Sequence, residues 1–353
     1  MATTFKTLNA KDVISTRNLL HEAIPITGAI VSGTYADENI KNFSHGIFQS
    51  VYDYPYLSSS ANHIFDLTAG YTATSGLSGA ASTQNAKKIN IYNQMAQVLV
   101  GFDENNDIRQ FDEDGNLTDG GTKIEEAYVV NFTRLLTKDE VKKGSFTLEL
   151  GVTGAYATPF ASRIKLRDFN GTTSYKVNSP AGEYGILYAT NSEATPLNGI
   201  TGSTQQPAGL IYYQAGIAVV TASVFSGLLS SSAQMNSSGE FVDAVLTGST
   251  IKSSCDELRH RIYDLSFNNS VELNSTVYFC RANHNEFNYS SNPTYLSASK
   301  LVVKNDSSDV PVSYVTTVGL YSPDNELMAV AKLSEPLKKD PTAEFTVRVR
   351  LDY

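Results

Sequence analysis

The sequence contains no tryptophan, only two cysteines and few charged residues for its length of 353 residues. Charged residues make up 18%, against about a quarter in a typical soluble domain. Tyrosine and phenylalanine are plentiful instead, with 20 and 16 residues. Neutral polar, aromatic and β-branched residues suit strands, turns and surfaces packed against partners. This composition favours a β-rich subunit of an assembly over a freely diffusing enzyme.

The two cysteines, Cys255 and Cys280, are too few to form a disulfide framework in a chain this long. Cys280 ends the apolar run 277–280, which predicts a buried strand, and Cys255 lies at the start of a predicted helix. We therefore expect two reduced, buried thiols and synthesis in a reducing cytoplasm.

Long apolar runs and basic runs are both missing. No stretch reaches the ~18 apolar residues needed to cross a bilayer, and residues 215–229 come nearest. The first residues show no apolar signal-peptide region. The net charge of −9 argues against a protein that follows nucleic-acid phosphates. We expect no membrane span and no nucleic-acid partner.

The first 80 residues differ in character from the rest. Residues 9–22 predict a short helix, which Pro25 ends. Residues 24–80 are rich in Gly, Ser, Thr and Tyr without strong periodicity, yet their aromatic residues argue against simple disorder. We therefore predict a first region, 1–80, in which a helix precedes an extended N-terminal arm that orders against a neighbouring subunit.

The remaining residues predict a mainly β fold with a few helices. Helical spacing marks 84–100, and capping boxes at Thr137 and Ser254 predict helices to Lys143 and to about Leu265. Alternating or continuous apolar patterns predict strands at 128–135, 145–152, 163–168, 184–189, 210–229 (one strand or two), 271–282, 312–321, 327–333 and 344–353. We expect an antiparallel sandwich-like core over residues 81–353, with a turn-rich insertion at 153–210.

A search for catalytic chemistry finds no strong motif. The five histidines lack metal-ligand spacing, and neither a Gly-x-Ser-x-Gly elbow nor a nucleotide-binding glycine loop occurs. The acidic stretch from Asp103 to Asp119 lacks the Gly and Glu positions of a calcium loop. Aromatic Tyr54, Tyr56 and Phe65 could line a sugar groove, although packing is the more ordinary role. The sequence predicts a protein that is not an enzyme, without catalytic residues, cofactor or metal.

Several stretches together carry a resemblance to a known family. They are His21-Glu22-Ala23-Ile24-Pro25, Phe48-Gln49-Ser50-Val51-Tyr52-Asp53-Tyr54-Pro55-Tyr56-Leu57-Ser58-Ser59-Ser60, Lys88-Ile89-Asn90-Ile91-Tyr92-Asn93-Gln94-Met95-Ala96-Gln97, Val318-Gly319-Leu320-Tyr321-Ser322-Pro323-Asp324-Asn325-Glu326-Leu327 and Ala329-Val330-Ala331-Lys332-Leu333-Ser334-Glu335-Pro336. In these, the chain resembles virion structural proteins of contractile-tailed phages, especially those of marine cyanobacteria.

The resemblance implies a structural protein of the phage tail or baseplate, synthesised in the host cytoplasm and located in the virion. Its partners would be other virion proteins and copies of itself in a symmetric assembly. A neck, connector or head-surface protein and a carbohydrate-binding tailspike-like protein are the alternatives. We predict that neighbouring subunits contact Phe48, Tyr52, Tyr54, Tyr56 and Leu57, unless these side chains fill the subunit's own core.

Overall fold

The computed structural model describes residues 5–20, 37–79, 83–117, 121–136, 139–191, 205–226, 232–248, 250–289, 296–297, 300–301 and 311–353. The chain divides into two compact units. Unit 1 combines both ends of the sequence, residues 1–20 and 272–353. Unit 2 is continuous and spans residues 21–271. The division falls within one long strand, and each unit is described by itself below.

Most of the described regular structure is β. The strands are β1 (Val13–Leu20), β2 (Ile40–Asn42), β3 (Gln49–Tyr52), β4 (His63–Tyr71), β5 (Glu126–Asn131), β6 (Glu140–Val141), β7 (Thr147–Gly151), β8 (Arg163–Arg167), β9 (Tyr184–Thr190), β10 (Pro207–Tyr212), β11 (Ile217–Thr221), β12 (Ile262–Ser266), β13 (Asn269–Ala282), β14 (Leu296–Ser297), β15 (Lys300–Leu301), β16 (Ser313–Tyr321), β17 (Leu327–Lys339) and β18 (Phe345–Asp352).

Helices are fewer and lie mainly in unit 2. The α-helices are α1 (Thr83–Leu99), α2 (Gly171–Ser174), α3 (Val242–Gly248) and α4 (Ile251–Arg261). Short 3-10 helices cover Ala10–Asp12, Asp37–Asn39, Gly76–Gly79, Thr133–Leu135 and Ala222–Phe225. The prediction of a mainly β fold with a few helices and antiparallel sheets is confirmed.

A ten-stranded antiparallel sheet organises unit 2. Its strand order is β12-β7-β8-β9-β10-β11-β5-β4-β3-β2. The run from β7 to β11 follows chain order, and β2 to β4 form a meander at the other end. The sheet therefore joins segments from both halves of unit 2, and β2 is its terminal strand.

One face of this sheet curls around the larger apolar core. Phe132, which follows β5, has its ring 5.4 Å from Phe146 before β7 and 4.8 Å from Phe267 after β12. Since β5 lies far from β7 and β12 in the strand order, these contacts require the sheet to curve back on itself. Helices α3 and α4 complete this core with Val245, Leu246, Cys255 and Leu258. The packing is sandwich-like, as predicted.

Helix α1 covers part of the opposite face and forms a second core. Its residues Tyr92, Ala96 and Leu99 pack with alternate side chains of β5, β9, β10 and β11. These strands are therefore apolar on both faces, as expected for the middle of a covered sheet. The helix predicted at 84–100 from its apolar spacing is confirmed.

Three sheets lie in the described part of unit 1, one of which pairs the short strands β14 and β15. The strands β1, β13 and β18 lie side by side in that order, and β13 and β18 pair antiparallel from Ser275 with Asp352 to Ala282 with Phe345. The strands β16 and β17 form a separate two-stranded sheet. The base of this hairpin is fixed by the fully buried Lys339, whose Nζ donates to Asn288 Oδ1 at 2.6 Å.

The prediction for the N-terminal region needs correction. Residues 13–20 of the expected helix form strand β1, because β13 offers a neighbouring strand and local helix spacing does not outweigh that pairing. Within the expected extended arm, 40–42, 49–52 and 63–71 are strands of the ten-stranded sheet. Residues 21–36 lie outside the described residues.

The structure also corrects the predicted boundaries of other elements. The predicted turn-rich insertion at 153–210 contains β8, β9 and part of β10, which lie inside the ten-stranded sheet. Helix α4 begins at Ile251 and not at Cys255, since Thr250 Oγ1 caps it by accepting from Ser253 N at 3.1 Å. The helix predicted to Lys143 is replaced by β6 and a turn within its described part. Residues 210–229 begin as two strands joined by a turn, β10 and β11.

Both cysteines are free thiols, as predicted. Cys255 is buried, and its Sγ donates to the Leu67 carbonyl oxygen at 3.2 Å. Burial is the main cause that raises the pKa of this thiol above its ordinary value. Cys280 is only half-buried, which corrects the expectation that both would be buried.

Candidate functional site

The residues predicted to contact neighbouring subunits lie at the β2 end of the ten-stranded sheet. We call residues 40–63 the aromatic edge; they comprise β2, β3, the loops beside them and the first residue of β4. Phe43 stacks on His45 at 5.2 Å and contacts Phe48 at 4.7 Å, with Lys41 Nζ 5.0 Å from the Phe43 ring. These contacts hold Phe48 in a cluster at the surface, where it is half-buried.

A second aromatic group lies at the other end of β3. Tyr52 is half-buried between Tyr56, at 6.3 Å, and His63, at 5.3 Å. Tyr54 is 57% exposed, Tyr56 is 38% exposed and Leu57 is 85% exposed. Leu57 in particular presents nearly all of its apolar surface to solvent.

The loop that carries these side chains is held in place by polar contacts. Asp53 Oδ1 accepts from Asn62 N at 2.6 Å, and Asp53 Oδ2 accepts from Asn62 Nδ2 at 2.8 Å. Tyr56 N donates to the Glu38 carbonyl oxygen at 3.0 Å. The exposed side chains therefore belong to an ordered loop, which costs less conformational entropy on binding than a flexible one.

None of the five predicted contact residues belongs to either apolar core of unit 2. The structure places them in two groups, with Phe48 before β3 and Tyr52, Tyr54, Tyr56 and Leu57 at or after its end. The alternative that they fill the core does not hold. Their contact with neighbouring subunits stays a prediction.

A serine, a histidine and an aspartate meet on β3 and β4, but not in the order that nucleophilic catalysis requires. Ser50 Oγ donates to Asp66 Oδ1 at 2.5 Å, and His63 Nε2 lies 2.7 Å from the same oxygen. A general base must accept the proton of the nucleophile, so the histidine would have to stand between the two. Here Asp66 stands between Ser50 and His63, so the cluster is a structural polar contact.

Buried ionisable groups lie between α1, α3 and α4. Lys88 is completely buried, and its Nζ donates to the carbonyl oxygens of Val245 and Leu246 in the last turns of α3. Burial lowers the pKa of Lys88 to about 8, and burial also raises the pKa of Glu257 to about 8. Because Lys88 satisfies helix carbonyls away from solvent, its role is to hold α3 against α1.

The acidic stretch forms turns. Asp103 Oδ1 accepts from the backbone N of Asn105 at 2.8 Å and of Asp107 at 2.9 Å. Asp112 Oδ1 accepts in the same way from Asp114 N at 3.0 Å, while its Oδ2 bonds to Lys123 Nζ. Asp119 lies outside the described residues. Within the described part of the chain, no group of three or more His, Cys, Asp and Glu side chains could hold a metal ion.

The hairpin of β16 and β17 in unit 1 is a surface that the sequence reasoning missed. Its large apolar side chains are exposed, at 60% for Tyr314, 46% for Tyr321, 53% for Leu327, 70% for Met328, 53% for Val330 and 38% for Leu337. A two-stranded hairpin alone is marginally stable in water. The sequence signal was present, because apolar residues occupy neighbouring positions in Leu327 to Val330 and so face both sides of the strand.

The described helices include none that is long and apolar enough to cross a membrane. Comparisons of the chain with protein-family models, with curated proteins and with solved structures found no match. The fold therefore defines a mainly β protein with antiparallel sheets, and its exposed surfaces are the features that bear on its function.

Proposed function

We propose that this protein is a structural subunit that holds neighbouring subunits together in a tailed phage particle. The observation that carries the proposal is the exposed apolar hairpin β16–β17. Exposed apolar patches of this kind mark surfaces that become buried against a partner. Burying a side chain such as Met328 stabilises a contact by about 1.5–3 kcal/mol.

The aromatic edge supports the same function from unit 2. Tyr54, Tyr56 and Leu57 are exposed on a loop that hydrogen bonds already hold in place. Tyrosine is enriched at the centres of protein interfaces, because a large rigid ring gains contact area at a low entropy cost. A subunit with contact surfaces in both units can join more than one neighbour.

The resemblance to virion structural proteins supports a place in the tail or baseplate, and the surfaces alone fit a neck, connector or head-surface location equally well. The carbohydrate-binding alternative loses one of its three candidate residues, because Phe65 is fully buried. Only Tyr54 and Tyr56 remain available to a sugar.

The first test is electron cryo-microscopy of intact particles from the phage that encodes the chain. We expect density for the chain in the tail or baseplate, with the hairpin or the aromatic edge against a neighbouring protein. Density at the neck or head would keep the structural function and change the location. Absence from purified particles, checked by mass spectrometry, would overturn the proposal.

A second test isolates the hairpin. The double variant Met328→Lys with Val330→Lys is expected to incorporate poorly into particles, because a buried contact would then enclose two unpaired charges. Ser334→Lys adds a lysine at another exposed position of β17 and serves as control. Equal incorporation of the double variant and the wild type would show that the hairpin is not a contact surface.

A further inference from the structure

The sheet of unit 1 has an outward face that combines arginine side chains with apolar ones. Alternate residues of β13 lie on this face opposite alternate residues of β18, with Val277 beside Arg350 and Phe279 beside Arg348. Ile14 of β1, which is 49% exposed, borders the same groove. We call the residues lining this groove the arginine groove, and they are Ile14, Thr16, Ser275, Val277, Phe279, Arg348 and Arg350.

The groove has room for a side chain from another molecule. Its volume is about 230 Å³, several times the roughly 30 Å³ that one water molecule occupies in the liquid. Its lining joins the buried Val277 and the half-buried Phe279 with the exposed Arg348 and Arg350, so the groove offers both an apolar contact and guanidinium donors. This combination suits a partner in which an aromatic side chain lies beside a carboxylate.

Carboxylates near the groove pair with Arg350 and Arg281, and among the described residues they leave Arg348 available to a partner. Arg350 Nε donates to Asp352 Oδ1 at 2.7 Å, and its Nη2 donates to Ser275 Oγ at 3.0 Å. Arg281, farther along the face, donates from Nε to Asp12 Oδ1 at 2.7 Å. Arg348 is exposed and has no carboxylate partner among the described residues.

Charge is divided unequally along the chain. Unit 1 has 11 basic and 11 acidic residues and is neutral, whereas unit 2 has 16 basic and 25 acidic residues and carries the whole net charge of −9. The charge on unit 2 favours its approach to an arginine-bearing surface of another copy.

One exposed turn of unit 2 carries the chemistry that the arginine groove requires. Residues 102–107, the acidic turn, present Phe102 at 46% exposure next to the exposed carboxylates of Glu104 and Asp107. The turn is fixed by Asp103, which accepts two backbone hydrogen bonds, and by the positive φ of 64° at Asn106. An ordered turn of this kind can enter a groove without first losing much conformational freedom.

We propose that the arginine groove of one copy of this chain binds the acidic turn of a second copy. Phe102 would contact Val277 and Phe279, while Glu104 would accept hydrogen bonds from Arg348. The two surfaces are different, so each copy can bind one neighbour through its groove and another through its turn. Such head-to-tail association builds rings or helical arrays. This inference rests on the proposed structural function and names a partner for it.

The experiment measures self-association of the full chain by sedimentation velocity at low and high salt. Arg348→Glu and Glu104→Arg are each expected to lower the association constant about tenfold or more, since opposed like charges disfavour an interface. An equal mixture of the two variants is expected to associate again, because the intact turn of one meets the intact groove of the other. Arg134→Glu makes the same arginine-to-glutamate change at an exposed site of unit 2 outside the acidic turn, and it should leave association unchanged.

Three outcomes would overturn the inference. The first is a wild-type chain that stays monomeric at all concentrations. The second is a mixture of the two variants that does not associate. The third is an Arg134→Glu variant whose association constant falls as much as that of Arg348→Glu. Circular dichroism of each variant excludes unfolding as the cause. Detection of the chain in particles together with a monomeric wild type would reject this contact and leave the proposed function standing.

Discussion

At the scale of single residues, Lys88 and Glu257 are the least expected features of unit 2. The sequence places Lys88 in an amphipathic helix, where a lysine normally faces solvent. In the fold it is fully buried and donates to two carbonyls of α3. Glu257 is also buried, and burial raises the pKa of its carboxyl group to about 8. The two charges moderate each other's shifts, since each is attracted by the other.

The raised pKa of Glu257 makes the stability of the protein depend on pH. The folded protein binds this proton up to about pH 8, whereas the unfolded chain releases it near pH 4.3. The stabilising contribution of this carboxyl group is therefore complete below the unfolded pKa and is lost as pH rises through the folded value.

We predict that the stability of Glu257→Gln relative to the wild type increases when the pH is raised from 5 to 8. The expected gain is on the order of 1–2 kcal/mol, because the amide carries no charge that must stay buried at the higher pH. Urea denaturation at both pH values measures it. Glu344→Gln removes an exposed carboxylate instead; it is the matched control and should show no such difference. An equal effect of Glu257→Gln at pH 5 and pH 8 would contradict the assignment.

At the scale of elements, the contact between α1 and β4 depends on a glycine. A Cβ atom built on Gly70 would lie 2.5 Å from the Lys88 carbonyl oxygen and 2.9 Å from Tyr92 N. Both are backbone atoms of the helix, so no side-chain rotation can relieve the clash. The absence of a side chain at Gly70 therefore sets how closely α1 approaches the sheet and allows Tyr92 to reach the second core.

We predict that Gly70→Ala destabilises the protein by about 1–3 kcal/mol, the usual cost of an added group in a well-packed interior. Chemical denaturation gives the free energy of unfolding. Gly79→Ala is the control, because a Cβ atom there would meet nothing within 4 Å. Equal stability of Gly70→Ala and the wild type would mean that α1 can move away from β4 at no cost.

At the scale of the whole molecule, unit 2 is formed from one continuous stretch of the chain and unit 1 from two separate segments. Unit 2 contains both large apolar cores within one continuous stretch, 21–271. Unit 1 needs both ends of the chain, since β1 lies beside β13 and Thr16 Oγ1 donates to the Ser275 carbonyl oxygen at 3.4 Å. Removing residues 1–60 would delete β1, β2 and β3 together, so this truncation would damage both units.

We predict that a fragment of residues 21–271 folds by itself. It retains every strand of the ten-stranded sheet and both cores, and a unit with its own core can in principle fold alone. Far-UV circular dichroism should show β structure, and heating should give a cooperative transition. The chain lacking residues 1–60 is the comparison and should be the less stable of the two. A random-coil spectrum for the fragment would show that unit 2 depends on unit 1.

The sequence by itself determined the mainly β fold, helix α1, the C-terminal strand and the free cysteines. These features follow from local periodicity and composition, which act over a few residues. It did not reveal that residues 13–20, 40–42, 49–52 and 63–71 form strands. Strand β1 lies beside the distant β13, and the meander of β2 to β4 joins the sheet only through the distant β5. It pointed to Tyr54, Tyr56 and Leu57, whose exposure only the fold decided.

The arginine groove and the buried Lys88 were settled by tertiary structure alone, and so was the exposure of the hairpin, although Leu327 to Val330 carried a sequence signal for it. Each depends on which face of a strand or helix remains uncovered after long-range packing, and alternation along one strand cannot tell a covered face from an open one. The sequence predicts Val277 and Phe279 as core residues; in the fold Val277 is buried and Phe279 is half-buried, and both line the arginine groove. Local chemistry fixes the elements, and the pairing of distant segments fixes which of their side chains meet solvent.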